Sequence, residues 1–236
     1  MLAGLIGAAL LATSVALVHS SVFGARHVRV SGAPNVSTSS VVAVAGLRGD
    51  PPLVDLDAAA IAARVERLPW VLTAAVRIVW PSTVAIHISE RIPVAAVVLV
   101  GTRSSYAVCD VTGRVLEIVP NRPASLPLVA LAGAGDGADR PGEPGSSLPV
   151  KDRLQLQVAA EMPESLVQAT TEVASTGLGA VVELTNHLTA IIGDAAGLSQ
   201  KFVSLATVLA HGHLSGIGSI DLRVSASPVL IPEGSS

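Results

Sequence analysis

The sequence predicts an α+β fold in three parts. An apolar transmembrane helix covers residues 1–23, a small βααββ module covers 24–91, and a mostly antiparallel β domain with flanking helices covers 92–231. Three observations predict it. First, two runs of alternating residues lie either side of Pro81-Ser82: Val76, Ile78 and Trp80 alternate with Arg77 and Val79, then Val84, Ile86 and Ile88 with Ala85, His87 and Ser89. A period of two puts one set of side chains on a buried sheet face, and the short break between the runs joins them as an antiparallel pair. Second, Asp57–Leu68 has helical spacing, with Ile61, Val65 and Leu68 on one stripe and Pro69 as its stop. Third, beyond Pro93 the chain becomes a series of short apolar runs separated by turn residues.

In order, Met1–Val18 holds no charged residue and is rich in Leu, Ala, Val and Gly. Carried through to Phe23 it makes a helix of about 33 Å, enough for a hydrocarbon core of about 30 Å. Phe23 and Arg26 then mark the interface. A cleaved signal peptide would begin with a basic region, and the sequence has none before this segment. The nearest charges, Arg26 and Arg29, lie on its C-terminal side, so the positive-inside rule taken literally retains the following domains in the cytoplasm.

Arg26–Val30 is a short strand ended by Ser31-Gly32-Ala33-Pro34. Ser37 caps a short helix through Val41, Val42 and Val44 that Gly46 closes. In the second part, strands are expected at Val94–Val100, Tyr106–Cys109, Arg114–Val119 and Leu126–Leu131, with a hairpin turn at Asp110–Gly113. Gly133–Pro149 is an exposed loop, and Lys151–Glu161 a helix with Leu154 and Val158 inward. Leu178–Leu184 and Leu188–Gly193 form a hairpin. Leu198–Ala210 is an amphipathic helix carrying Phe202, Leu205 and Leu209. Gly218–Val224 and Pro228–Ile231 are the last strands, and 232–236 is a flexible end.

Composition narrows the function. Half the residues are hydrophobic but only 2% are aromatic, so aliphatic side chains must fill the core. Trp70, Trp80, Tyr106, Phe23 and Phe202 serve as core or membrane-boundary fillers. The net charge of −3 argues against a nucleic-acid binder. Residues 24–91 hold seven arginines against five acids, and 92–236 eight bases against thirteen acids. A basic part beside the membrane suits anionic lipid. Cys109, the sole cysteine, sits in an apolar run and is expected to be buried and inert.

No catalytic residues are assigned. There is no Gly-x-Ser-x-Gly nucleophile turn and no phosphate-binding loop. His211 and His213 are the only close histidine pair and lack a third ligand, so no metal and no cofactor is expected. Arg48-Gly-Asp50 is a loop, and His87 faces solvent. The productive feature is sheet edges, which bind partners by strand addition. Two are expected: the edge formed by Val84, Ile86 and Ile88, followed by the charged hinge Glu90-Arg91, and the final C-terminal strand.

Several of these stretches also resemble one family. Val-Arg-Val-Ser-Gly at 28–32, Val54-Asp55, Leu68-Pro69-Trp70-Val71, Trp80-Pro81-Ser82-Thr83 and Glu90-Arg91-Ile92-Pro93-Val94-Ala95 are similar to the membrane-proximal POTRA domain of the FtsQ/DivIB bacterial cell-division proteins. Ile192-Gly193, Lys201, Phe202, Leu205 and Ile220-Asp221-Leu222-Arg223 resemble that family's β domain. The resemblance implies a single-pass, non-enzymatic scaffold at the division septum, with its C-terminal domains extracytoplasmic. The opposed charge rule is then reconciled by a basic cytoplasmic tail absent from this sequence. The resemblance further implies strand addition to FtsB-like and FtsL-like division proteins and a link to septal cell-wall synthesis. Other divisome components would bind through the POTRA domain. It places partner binding on Asp221, Leu222, Arg223, Val224, Ser225, Ser227, Val229 and Leu230. On charge alone, Arg223 is expected to add a charge-assisted contact to a partner carboxylate. Where many members carry aromatic anchors, this chain has Val224 and Val229. The other reading is a POTRA-bearing module for protein export or insertion, which needs a β-barrel or tandem POTRA units.

Overall fold

The structure, a computed structural model, describes residues 6, 23–99, 105–131, 143–148 and 152–234. The expected membrane helix, apart from residues 6 and 23, and most of the Gly133–Pro149 loop lie outside these residues. No helix among the described residues is long and apolar enough to cross a membrane. The chain divides into two compact units, one ending at Arg91 and the other beginning at Ile92.

The first unit is a βααββ module: β1 (His27–Ser31), α1 (Thr38–Ala45), α2 (Ala58–Val65), β2 (Val71–Val79) and β3 (Thr83–Glu90). Its helices begin where the capping residues dictate. The Ser37 side chain accepts from Ser40 N at 3.1 Å, and Asp57 Oδ1 accepts from Ala59 N at 2.8 Å. Gly46 ends α1 with φ 73°, a left-handed conformation that needs no Cβ. One core is built from Val41 and Ala45, Ile61 and Val65, and Val84, Ile86 and Ile88.

The strand order is β1-β3-β2, with β3 parallel to β1 and antiparallel to β2. This corrects the expectation that Val84, Ile86 and Ile88 form a sheet edge. They lie on the central strand, buried in the core, and the edges are β1 and β2. The hairpin pattern gave the pairing of β2 with β3 but carried no sign that β1 would cover the other side.

Trp80 is a second correction. It does not share a buried face with Val76 and Ile78, because β2 ends at Val79 and Trp80 stands in the turn, 52% exposed. Its ring meets Phe23 edge to face, with centroids 5.7 Å apart.

The second unit is one nine-stranded sheet with helices. Its strands are β4 (Pro93–Leu99), β5 (Ser105–Asp110), β6 (Val115–Val119), β7 (Leu128–Val129), β8 (Thr170–Thr176), β9 (Gly179–Leu184), β10 (Thr189–Gly193), β11 (Ile217–Asp221) and β12 (Val229–Pro232). The order is β12-β11-β10-β9-β8-β7-β4-β5-β6. Five of its eight strand pairs are antiparallel; β10–β11, β4–β7 and β7–β8 are parallel. Helix α3 (Arg153–Glu161) packs on β4, β7, β8 and β9, the one-turn α4 (Glu164–Val167) follows it, and α5 (Leu198–His211) packs on β10.

Phe202 and Leu205 are buried in this core as the stripe predicts, and Leu209 is partly buried. Strand β8 and helix α4 have no counterpart in the sequence reading. Thr170–Thr176 is rich in polar residues, yet it pairs with β9 along its whole length. On α3 the fully buried positions include Gln155 and Leu156 as well as Val158. The turn after β5 is held by Asp110 Oδ1, which accepts from Thr112 N and Arg114 N, both at 2.9 Å. Cys109 is buried, and desolvation, reinforced by Asp110, pushes its thiol up to about 12.

Candidate functional site

The residues singled out near the C-terminus converge on one end of the nine-stranded sheet. β12 is its last strand, antiparallel to β11 with Ile220 opposite Leu230 and Asp221 opposite Val229. A terminal strand leaves one side of its backbone without a neighbouring strand. Val229 is 56% exposed and Leu230 is also exposed, so apolar side chains border that edge.

The strands are shorter than expected, and this rearranges the site. β11 stops at Asp221, so Leu222–Pro228 is a connection rather than strand. Leu222 is buried and its N–H donates to Ile191 O at 2.8 Å, continuing the tie to β10. Val224, Ser225 and Ser227 lie in the turn, where Ser227 N donates to Val224 O at 3.1 Å. Helix α5 fixes this turn through Ser204 Oγ, which donates to Ser225 O at 2.7 Å. Val224 stands 64% exposed. Asp221, Arg223, Val224, Ser227 and Val229 line one open depression beside β12.

Arg223 is not a free cation. Its Nη2 donates to Asp221 Oδ2 at 2.6 Å and its Nε to both carboxylate oxygens at 3.0–3.1 Å. The Arg223 guanidinium holds the Asp221 carboxyl below the usual carboxylate range. A partner carboxylate reaching Arg223 would therefore have to share or displace Asp221. The stem of Arg223 lies over Gly193, where a Cβ would come within 2.8 Å of Arg223 Cγ, and Gly193 has φ 75°.

Behind this end lies a support that the sequence reading did not identify. Lys201, only 2% exposed, donates Nζ to Ile192 O at 2.8 Å, Asp194 O at 3.0 Å and Asp194 Oδ1 at 2.9 Å. It pins the β10–α5 connection beside β11. The signal was present: Leu198, Lys201, Phe202 and Leu205 form one i, i+3, i+4, i+7 stripe, and a lysine on such a stripe is buried with its neighbours.

In the first unit, Glu90 and Arg91 act within the fold. Glu90 Oε1 accepts from Asn35 N at 2.8 Å and Oε2 from Asn35 Nδ2 at 2.7 Å. Arg91 donates from N to Trp70 O at 2.8 Å and from Nε to Val71 O at 3.1 Å. Edge strand β2 is partly blunted by Glu66, whose Oε1 accepts from Ala74 N at 3.0 Å. Among the described residues no cluster of three metal-ligating side chains is found. His87 is exposed and lies 3.1 Å from Ser31 Oγ.

Comparison with known proteins finds similarity over parts of this chain. The FtsQ-type POTRA domain family matches residues 23–91. The cell division protein FtsQ of Mycolicibacterium smegmatis is 35% identical over 94 residues, 40% of this chain and 28% of that protein. FtsQ of Caulobacter vibrioides is 31% identical over 144 residues, 60% of this chain and 47% of that protein. The chain thus spans between about a quarter and a half of the length of these curated relatives. The major extracytoplasmic domain of the cell-division protein DivIB from Geobacillus stearothermophilus aligns at 16% identity and a TM-score of 0.34, covering 52% of this chain and 93% of that one.

Proposed function

We propose a function from one premise: the chain belongs to the FtsQ/DivIB family of bacterial cell-division proteins. It is a non-catalytic scaffold of the division machinery. Residues 1–23 anchor it in the cell membrane, and its POTRA and β domains (24–91 and 92–231) lie outside the cytoplasm at the septum. It binds small coiled-coil division proteins, FtsB-like and FtsL-like, by adding one of their segments to the sheet beyond β12. In this way it links them to septal wall synthesis.

The observation that carries this reading is the exposed outer edge of β12, bordered by Val224, Val229 and Leu230. Strand addition supplies main-chain hydrogen bonds, and alternate side chains set specificity. Valines bury less area than aromatic anchors would, so the backbone and Leu230 carry more of the affinity here. Asp221 and Arg223, locked together, present a charge pair that a polar partner residue must match. Glu90 and Arg91 are proposed to join the two domains, while other divisome components bind the POTRA domain at β1 or β2. Imaging a fluorescent fusion of the full chain in dividing cells tests the reading. A band at midcell is expected, and an even distribution around the membrane through division would overturn it.

A further inference from the structure

We infer that the POTRA end carrying Trp80 and Phe23 docks on the surface of an anionic bilayer, with Trp80 as the aromatic anchor and Arg29 and Arg77 as the headgroup contacts. The inference rests on the proposed membrane anchor and specifies how the first folded domain meets the lipid. Its basis is the juxtaposition that the fold creates. The sequence holds no Asp, Glu, Lys or Arg from Met1 to Gly24, a largely apolar run interrupted by His19-Ser20-Ser21 before it ends at Phe23. The Trp80 ring lies 5.7 Å from the Phe23 ring, although 57 positions separate them in the chain. The turn bearing Trp80 is tied to the start of β1, because His27 N donates to Ser82 O at 3.0 Å. Trp80 is therefore held where the apolar run ends, yet it is 52% exposed, and the neighbouring Val79 is 48% exposed. A half-exposed tryptophan with an apolar body and a polar N–H suits the boundary between hydrocarbon and headgroups.

The charge pattern favours lipid of one sign. Odd-numbered residues of β1, of β3 and of β2 from Thr73 onward share the sheet face opposite the helices, the register shift after Val71 having turned Val71 into the core. In the register, Arg29, Ala85 and Arg77 form one row across β1, β3 and β2, and His27, Thr83 and Val79 form the row next to Trp80. The arginines stand about 10 Å apart across the intervening strand. Both are exposed, and neither has a hydrogen-bond or ion-pair partner among the described residues. The face holds no carboxylate over these rows, and the first acid in the whole sequence is Asp50. Long arginine stems reach from one row back toward the headgroups while their chains cover apolar surface.

The test uses the full chain in lipid nanodiscs, with and without phosphatidylglycerol, and lipids brominated near the glycerol as short-range quenchers. Trp70→Phe leaves Trp80 as the sole tryptophan. Its emission should shift to shorter wavelength and be quenched, more strongly with phosphatidylglycerol present. Arg29→Ser and Arg77→Ser should each lower the ratio of docked to undocked protein about fivefold. Because Trp70 is half-buried, Trp80→Leu in the otherwise unaltered chain gives a second reading: the lipid-quenched fraction should disappear while Trp70 emission remains. A chain that fails to co-purify with nanodiscs overturns the anchor and this inference with it. A chain that co-purifies with Trp80 unquenched overturns the docking alone. Equal quenching in both lipid compositions overturns the anionic preference.

Discussion

Trp80 and Ile86 show what position does to the worth of a side chain. Ile86 is on the central strand and 1% exposed, so Ile86→Ala should cost about 2–5 kcal/mol. Trp80→Ala removes a larger ring but leaves no buried cavity, and its cost should stay below about 1 kcal/mol. Urea unfolding of the two variants checks this, and the order of the two losses is the point at issue. Lys201 offers a second contrast. Lys201→Met keeps the stem but leaves Ile192 O and Asp194 O without their donor, and should destabilise by about 1–3 kcal/mol. Asp194 is held below its usual range, chiefly by its hydrogen bond from Lys201. A depressed carboxyl stabilises the fold above its unfolded value and loses that contribution as pH falls through its folded value. The gap between wild type and Lys201→Met should therefore narrow below about pH 4 in denaturant titrations run across pH.

At the scale of elements, β8 and β9 contain a local conflict. Glu172 and Glu183 face each other across the pair, and the Glu172 carboxyl is raised, first by burial and then by Glu183. A raised carboxyl opposes folding while ionised and is relieved as pH falls through its folded value. Glu183→Gln should accordingly stabilise by about 0.2–1 kcal/mol at neutral pH, with the gain shrinking in acid. Thermal melts at neutral and mildly acidic pH measure it. Elements with a strong local signature were legible in the sequence: the β2–β3 hairpin, helix α1 between Ser37 and Gly46, and the apolar stripe of α5. Elements set by tertiary pairing were not. β8 is polar, and its place comes from β7 and β9 on either side. The central position of β3 comes from a parallel partner more than fifty residues earlier. At the candidate site the residues were legible but their roles were not. Asp221 and Arg223 neutralise each other, and three of the named positions fall in a turn that α5 holds.

In the whole molecule, the outer edge of β12 is the proposed docking surface for a partner strand. Adjacent residues of a strand direct their N–H groups to opposite sides, so a proline at Val229 or at Leu230 removes the outward donor in one case and the inward one in the other. The direct measurement is the affinity of full-length Val229→Pro, Leu230→Pro and Val229→Thr for the small coiled-coil division protein, each variant having first shown an unchanged circular dichroism spectrum. The account predicts that one of the two folded proline variants loses binding and that Val229→Thr binds nearly as wild type. Wild-type affinity in both folded proline variants would contradict it.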